Sequence, residues 1–410
     1  MLKNFRYPSL FAVVSIVVIA ATVSGSRFAA KPSRYVYVWA GTGGKKTTGI
    51  SSLVVIDADP KSAKYGTVIE AVTVDSAGSS PHHTEFELPR SGPYFVSDYG
   101  ASKAFMIDFS NPAKPRSAGQ TAPPPTGHMM HSFARTPQGN VLATVQHGDM
   151  SVEGHPGGLV ELNGAGKVVR YASSQDPAFP GAHIRTYAVT TLPKIDRIVT
   201  TSSPMDDEVT ADVVQVWRMS DLKLLKTMPV PQIAGDSTHR YPFEVRTLAD
   251  GKTVMLNTYY CGFFTITGIE KDPKVERVMT LPQPGNIGCA VPIIAGKFML
   301  MPIAYGHRYA TIDISNPARP VEVSSVAMDS TFFPHWIARD PNSDRIIVTD
   351  QGDGPPMVML GRFDAKTGKL TWDERFKDPG ASKPGVSFLN VNWPNGVKGK
   401  ATPHGAVFVP

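Results

Sequence analysis

Apolar and polar residues alternate along this chain in short bursts. RYVYVWAG, SSLVVIDADP and TVIEAVTV follow one another between residues 34 and 74, each rich in β-branched and aromatic residues and bounded by turn formers. Such runs are too short and too β-prone for helices and predict strands. The same grammar continues to residue 376. PHHTEFEL, PYFVSDYG and KAFMIDFSNPAKPR form one unit, HSFARTPQGNVLATVQHG and GGLVELNGAGKVVRYAS the next, and four further units follow, beginning at HIRTYAVTTL, FEVRTLADG, CAVPIIAG and WIARDPNSD. Each carries about four strand signals.

The units repeat. IDFSNPAKPR at 107–116 returns as IDISNPARPV at 312–321, at the same place in two units. Steps between matched first strands, 83 to 131 and 131 to 185, are 48 and 54 residues, close to the ~40–50 of propeller blades. Six units are complete and the first lacks its inner strand, while GAVFVP at the end of the chain has no partners of its own. The economical solution is an all-β, seven-bladed β-propeller in which the C-terminal strand joins the first blade, leaving no open sheet edge.

Composition agrees with that fold and adds an address. Thirty-six glycines and thirty-six prolines leave little room for long helices. No linker-like tract divides residues 31–410, which predicts a single domain. Residues 1–30 read differently: Lys3 and Arg6 precede a sixteen-residue apolar run, LFAVVSIVVIAATVSG, and then small residues. This is the form of a signal peptide, with an uncleaved N-terminal anchor as the alternative. It predicts a periplasmic or secreted protein, touching a membrane only if that segment stays. Setting aside Lys3, Arg6 and Arg27 leaves 38 of the 41 bases against 35 acids, too small an excess for a nucleic-acid partner. Homo-oligomerisation stays open.

Histidines mark the starts of the predicted inner strands. His83 in PHHTEF, His131 in HMMHSF, His335 in FFPHWI and His404 in TPHGAV occupy matched places, with Phe243 and Glu244 of HRYPFEV at a fifth. Neutral imidazoles converging on an axis suit copper, with iron or zinc as alternatives, whereas magnesium and calcium prefer oxygen. We therefore expect His83, His131, His335 and His404 as metal ligands, and His83, His131 and Glu244 as the catalytic group, Glu244 fixing an imidazole tautomer. Strand alternation turns only one of His82 and His83 inward, and His83 is the better placed. His183 and Arg185 compete for the matching place in the fourth unit. Polar channel residues bound only to water are the non-catalytic alternative.

The loops between second and third strands share a face with these histidines. They bring His147, Tyr259, Cys261 and Tyr305 to an expected substrate rim, and the long segment 377–402 adds Trp393 as a lid residue. Asp98, Asp350 and the run Asp206, Asp207, Glu208 fall on the same side. Cys261 and Cys289, the chain's two cysteines, form a disulfide or leave a thiolate beside the metal.

PHHTEF, SDYGASKAFMIDFSNPAKPR, ATIDISNPARPV, YVYVWAG with SSLVVIDADPKSAKYGTVI, and the histidine near the C-terminus together resemble the selenium-binding protein family, whose bacterial members include methanethiol oxidase. The resemblance implies a copper-bearing propeller that oxidises a small sulfur-containing substrate with oxygen to an aldehyde, hydrogen sulfide and hydrogen peroxide. It carries His83, His131, His335 and His404 over as metal ligands. The chain departs from that family where TEFELPRSGP, after the paired histidines, has no cysteine, and in lacking a cysteine-bearing tail. The leading expectation is an exported metal-dependent oxidoreductase, most concretely a copper-dependent thiol oxidase. The alternative is a non-catalytic propeller that binds or scaffolds a cell-envelope partner.

Overall fold

Second strands such as Tyr94–Asp98 and Val141–His147 are buried along their whole length, whereas outer strands such as Arg116–Gln120 are exposed throughout. Sheets stacked face to face require this gradient, because only the outermost strand meets water. The computed structural model describes residues 31–43, 48–76, 80–205, 209–281, 288–352 and 354–410. The expected leader and Asp206, Asp207 and Glu208 lie outside the described residues. Lys31–Pro410 forms one compact unit.

The architecture is a seven-bladed β-propeller, each blade built on four antiparallel strands that run outward from the axis in chain order, with Val386–Ser387 added beside Met357–Phe363 in blade 7. The exception is blade 1, whose innermost strand is Thr402–Val409, paired to Tyr35–Gly41 from Tyr35 opposite Val409 to Gly41 opposite Thr402. Closure is reinforced between blades 7 and 1. The fully buried Arg345 reaches the Ala58 carbonyl and donates to Ser33 O at 2.6 Å and to Asp340 Oδ2 at 2.7 Å, while Ser33 Oγ donates to Asp340 Oδ1 at 2.7 Å. The repeated SNP phrases are the turns between third and fourth strands: Asp108 and Asp313 each accept the N–H two residues on, at 2.8 Å. The internal repeat is thus turn chemistry.

Every inner strand carries one residue more than its neighbour at the same height. His82 and His83 fit between Pro81 and Thr84 where the second strand has only Ser97 between Asp98 and Val96. The same β-bulge occurs at His131–Ser132, Tyr187–Ala188, Phe243, His335 and His404–Gly405. In blade 6 it lies between the Cys289–Ile303 bridge and the Ile293–Leu300 pair. A bulge frees backbone groups that a regular ladder would pair, and they need partners. The second strands provide them. Thr144 Oγ1 accepts Ser132 N–H at 2.9 Å and donates to Tyr187 O of the next blade at 2.7 Å. Thr201 does the same for Ala188 N and Phe243 O at 3.0 and 2.8 Å. Asn257 reaches Cys289 O at 3.2 Å, Thr349 reaches His404 O at 2.7 Å, and Ser97 Oγ lies 3.1 Å from both His83 and His131 carbonyls. In five of the seven blades, a second-strand side chain therefore holds the bulge of the next.

Two predictions follow from closure and from these straps. A chain of residues 31–400 lacks the innermost strand of blade 1 and yields no cooperative thermal transition, whereas residues 31–410 melt cooperatively. Thr144→Val orphans a buried N–H and carbonyl and lowers unfolding free energy by about 1–3 kcal/mol in a denaturant titration.

Candidate metal centre

The bulges determine which side chains face the axis. An extra residue breaks the strict alternation of a strand, so His82 and His83 both turn toward the centre, contrary to the expectation that one would point away. Their rings stack at 4.9 Å. His131 lies 4.0 Å from His83 and 4.7 Å from His82, His404 lies 4.0 Å from His82, and His335 lies 4.3 Å from His404, all between ring centroids. Ligand nitrogens of His82, His83 and His404 fall within 4.8 Å of one another. The structure thus brings His83, His131, His335 and His404 together and adds His82. Gly405 completes the arrangement: a Cβ there would stand 2.6 Å from Thr84 of blade 2, so only glycine lets the strand carrying His404 approach.

Among the described residues, seven imidazole nitrogens of this cluster are buried without a hydrogen-bond partner: Nε2 of all five rings and Nδ1 of His83 and His404. His131 Nδ1 lies 3.0 Å from the Tyr187 carbonyl, which can only accept, so this nitrogen carries the proton and Nε2 presents its lone pair. Glu244 Oε1 stands 4.0 Å from His83 Nδ1, and its other oxygen accepts from Arg246 Nη1 at 2.7 Å. Burial raises the Glu244 carboxyl, against the pull of Arg246. Tyr187, Phe243 and Trp336 wall the cluster; the His83 ring meets Trp336 at 5.3 Å and Tyr187 at 5.9 Å. Burial, and then neighbouring imidazoles, hold His82, His83 and His404 well below the ordinary histidine range. His131 and His335 fall to about 3, again through burial. The five rings are neutral at pH 7, the form that binds a metal.

The donor set fits a transition metal. Among the described residues, nitrogen lone pairs dominate, Glu244 stands 4.0 Å from one ring, and no hydrogen-bond partner satisfies these nitrogens.

Several expected site residues sit elsewhere. Cys261 and Cys289 form a disulfide with Cα atoms 5.2 Å apart, so Cys261 presents no thiolate to metal or substrate. Trp393 is buried in the main apolar cluster with Phe388, Val391 and Val397, and the segment around it packs against blades 1 and 7; it is neither rim nor slack. Tyr187, not His183 or Arg185, takes the matching place in blade 4, because the bulge lies two residues later. Arg185 instead donates to the His155 carbonyl at 2.6 Å. His147 stacks on His128 at 4.9 Å, Tyr259 packs on Phe243 at 5.5 Å, and Tyr305 is exposed beside Phe333. Asp98 and Asp350 serve the backbone, accepting Ser80 N–H at 3.2 Å and Phe333 N–H at 2.8 Å at the entries to their inner strands. The adjacency of the two histidines after Pro81 was the signal for His82; nothing marked Tyr187.

No family model matches the chain, and no curated protein matches its sequence. Solved structures do. A hypothetical selenium-binding protein from Sulfolobus tokodaii superposes with a TM-score of 0.72 over 92% of this chain and 94% of that one, at 15% identity. The chain shares its propeller fold. The periplasmic gluconolactonase of Pseudomonas aeruginosa matches with a TM-score of 0.62, 15% identity and coverage of 92% and 99%. At such identities the likeness extends to the fold alone.

The five neutral imidazoles make acid stability a test of the metal-free centre. Unfolding raises each ring from its depressed value to about 6.5, so the unfolded chain takes up protons that the folded chain refuses. Stability is then lost as pH falls below about 6.5, down to about 3 for His131 and His335, by at most about 1.4 kcal/mol per pH unit for each ring. Denaturant titrations of metal-free protein at pH 7 and pH 5 will show this slope, and His335→Gln will make it shallower.

Proposed function

We propose that the protein is an exported, metal-dependent oxidoreductase whose centre is the five-histidine cluster, most concretely a copper-dependent oxidase of small thiols. The observation that carries this is the set of buried imidazole nitrogens with no other partner. Leaving so many unpaired costs on the order of 1–3 kcal/mol each. A coordinated ion relieves that cost. The disulfide supports an oxidising compartment, and the sequence resemblance described above supplies the thiol substrate.

In this reading His82, His83, His131 and His404 hold the ion through ring nitrogens, and His335, the least enclosed of the five, borders the approach from the rim. Bound copper would supply one-electron redox chemistry toward dioxygen and thiolate. The chain's own residues do the rest. Tyr187 O orients His131 by accepting its Nδ1 proton. Glu244, held by Arg246, stands 4.0 Å from His83 Nδ1, beyond hydrogen-bond distance, where its charge favours the tautomer protonated on that nitrogen and leaves the opposite nitrogen as the donor. Trp336, Tyr187 and Phe243 exclude water from the rings. With methanethiol as the substrate, one thiol, one dioxygen and one water would balance as formaldehyde, hydrogen sulfide and hydrogen peroxide.

Elemental analysis of protein produced with copper tests the proposal. We expect close to one metal per chain, less than about a tenth in His83→Ala/His404→Ala, and affinity lowered about 10–100-fold in Glu244→Gln. Hydrogen sulfide release from methanethiol should follow metal content across these variants. A wild-type chain that takes up less than about a tenth of a metal, from copper, iron or zinc alike, leaves the non-catalytic scaffold as the better reading.

A further inference from the structure

Beyond the histidines, where the inner strands of blades 2 to 5 continue toward the opposite mouth of the channel, lies a pocket of about 510 Å³. That is within the range of small-molecule sites. It has apolar walls, chiefly Phe86, Phe133 and Val189, and polar groups from Glu85, Arg135 and Arg246. Arg135 is fully committed: it forks onto Glu85 at 2.6 and 2.9 Å and donates to the carbonyls of Gly139 and Pro93 at 3.0 and 2.6 Å. Arg246 is not. Its Nε donates to Pro292 O at 2.9 Å and its Nη1 to Glu244 and to Val245 O, but Nη2 is buried with no acceptor.

The guanidinium of Arg246 is also held rigidly. It lies 4.0 Å above the Phe86 ring, which stacks at 4.8 Å and 7° on Trp336. A planar donor clamped over an aromatic face, with one arm unpaired, is prepared for a planar acceptor. Arg135 is matched by Glu85 and Arg246 Nη1 by Glu244, so the vacant Nη2 offers a directional donor rather than an excess of charge.

We propose that this far-mouth pocket binds a small organic carboxylate with an apolar body, its carboxylate accepting from Arg246 Nη2 and its body packing on Phe86 and Phe133. The site is separate from the histidine cluster and does not depend on the metal reading. The Phe86–Trp336 stack makes occupancy visible as a change in tryptophan fluorescence.

Benzoate, with benzamide as its neutral counterpart, is titrated into the full mature chain by calorimetry and fluorescence. Benzoate is expected to bind saturably, at least about tenfold more tightly than benzamide, and Arg246→Gln is expected to weaken it by about tenfold or more. Because that change also frees Glu244, Ala134→Trp is measured beside it. This second variant fills the pocket from its half-buried wall, away from the ion pair, and should abolish benzoate binding while copper uptake is unchanged. No saturable binding below about 10 mM, equal affinity for benzamide, or unchanged affinity in either variant overturns the proposal.

Discussion

One extra residue in each inner strand is the constraint on which this molecule depends. A regular strand sends alternate side chains to opposite faces, and seven regular strands around an axis would leave a channel lined by every second residue. The bulge breaks that alternation at one height in every blade, and at that height stand His82 with His83, His131, Tyr187, Phe243, His335 and His404. Bulges expose backbone N–H and carbonyl groups, and in a buried channel those must be paired. Ser97, Thr144, Thr201, Asn257 and Thr349 pair them, mostly across the gap to the next blade. The interaction that closes the ring is therefore also the one that aims the histidines.

Stability and reactivity are coupled at this ring. Burying five imidazoles among Trp336, Tyr187 and Phe243 costs solvation and depresses their basicity, and it yields rings whose lone pairs are free at neutral pH. The fold tolerates this because closure is strong elsewhere. Arg345, buried between blade 7 and the start of blade 1, and the C-terminal strand in the innermost position hold the two ends of the chain together. Glu244 and Arg246 extend the same economy to the far mouth, one pair standing behind His83 and beneath a stacked aromatic floor.

The propeller was legible because its signals are local. Short apolar runs, turn residues and the twice-written SNP phrase each report the conformation of adjacent residues, and the orphan strand at the C-terminus left one place to go. Four of the clustered histidines were legible for the same reason, as polar residues opening apolar strands. The second histidine of the pair was not, since period-two alternation assigns His82 to the other face and a bulge is needed to overrule it. Trp393 misled because a long segment without strand signals looks like a lid. In the fold it fills the seam beside Phe388 and Val397.

What the amino-acid order alone determined, then, is the repeat, the closure and the residues available near the axis, because strand propensity and turn chemistry act over a few neighbours. Tertiary structure decided how many histidines meet, that Cys261 is bonded to Cys289, that Tyr187 stands where His183 or Arg185 was expected, and that a pocket opens at the far mouth. Each of these rests on contacts between blades, set by bulges and by polar straps spanning tens of residues. No pattern confined to one strand can encode them.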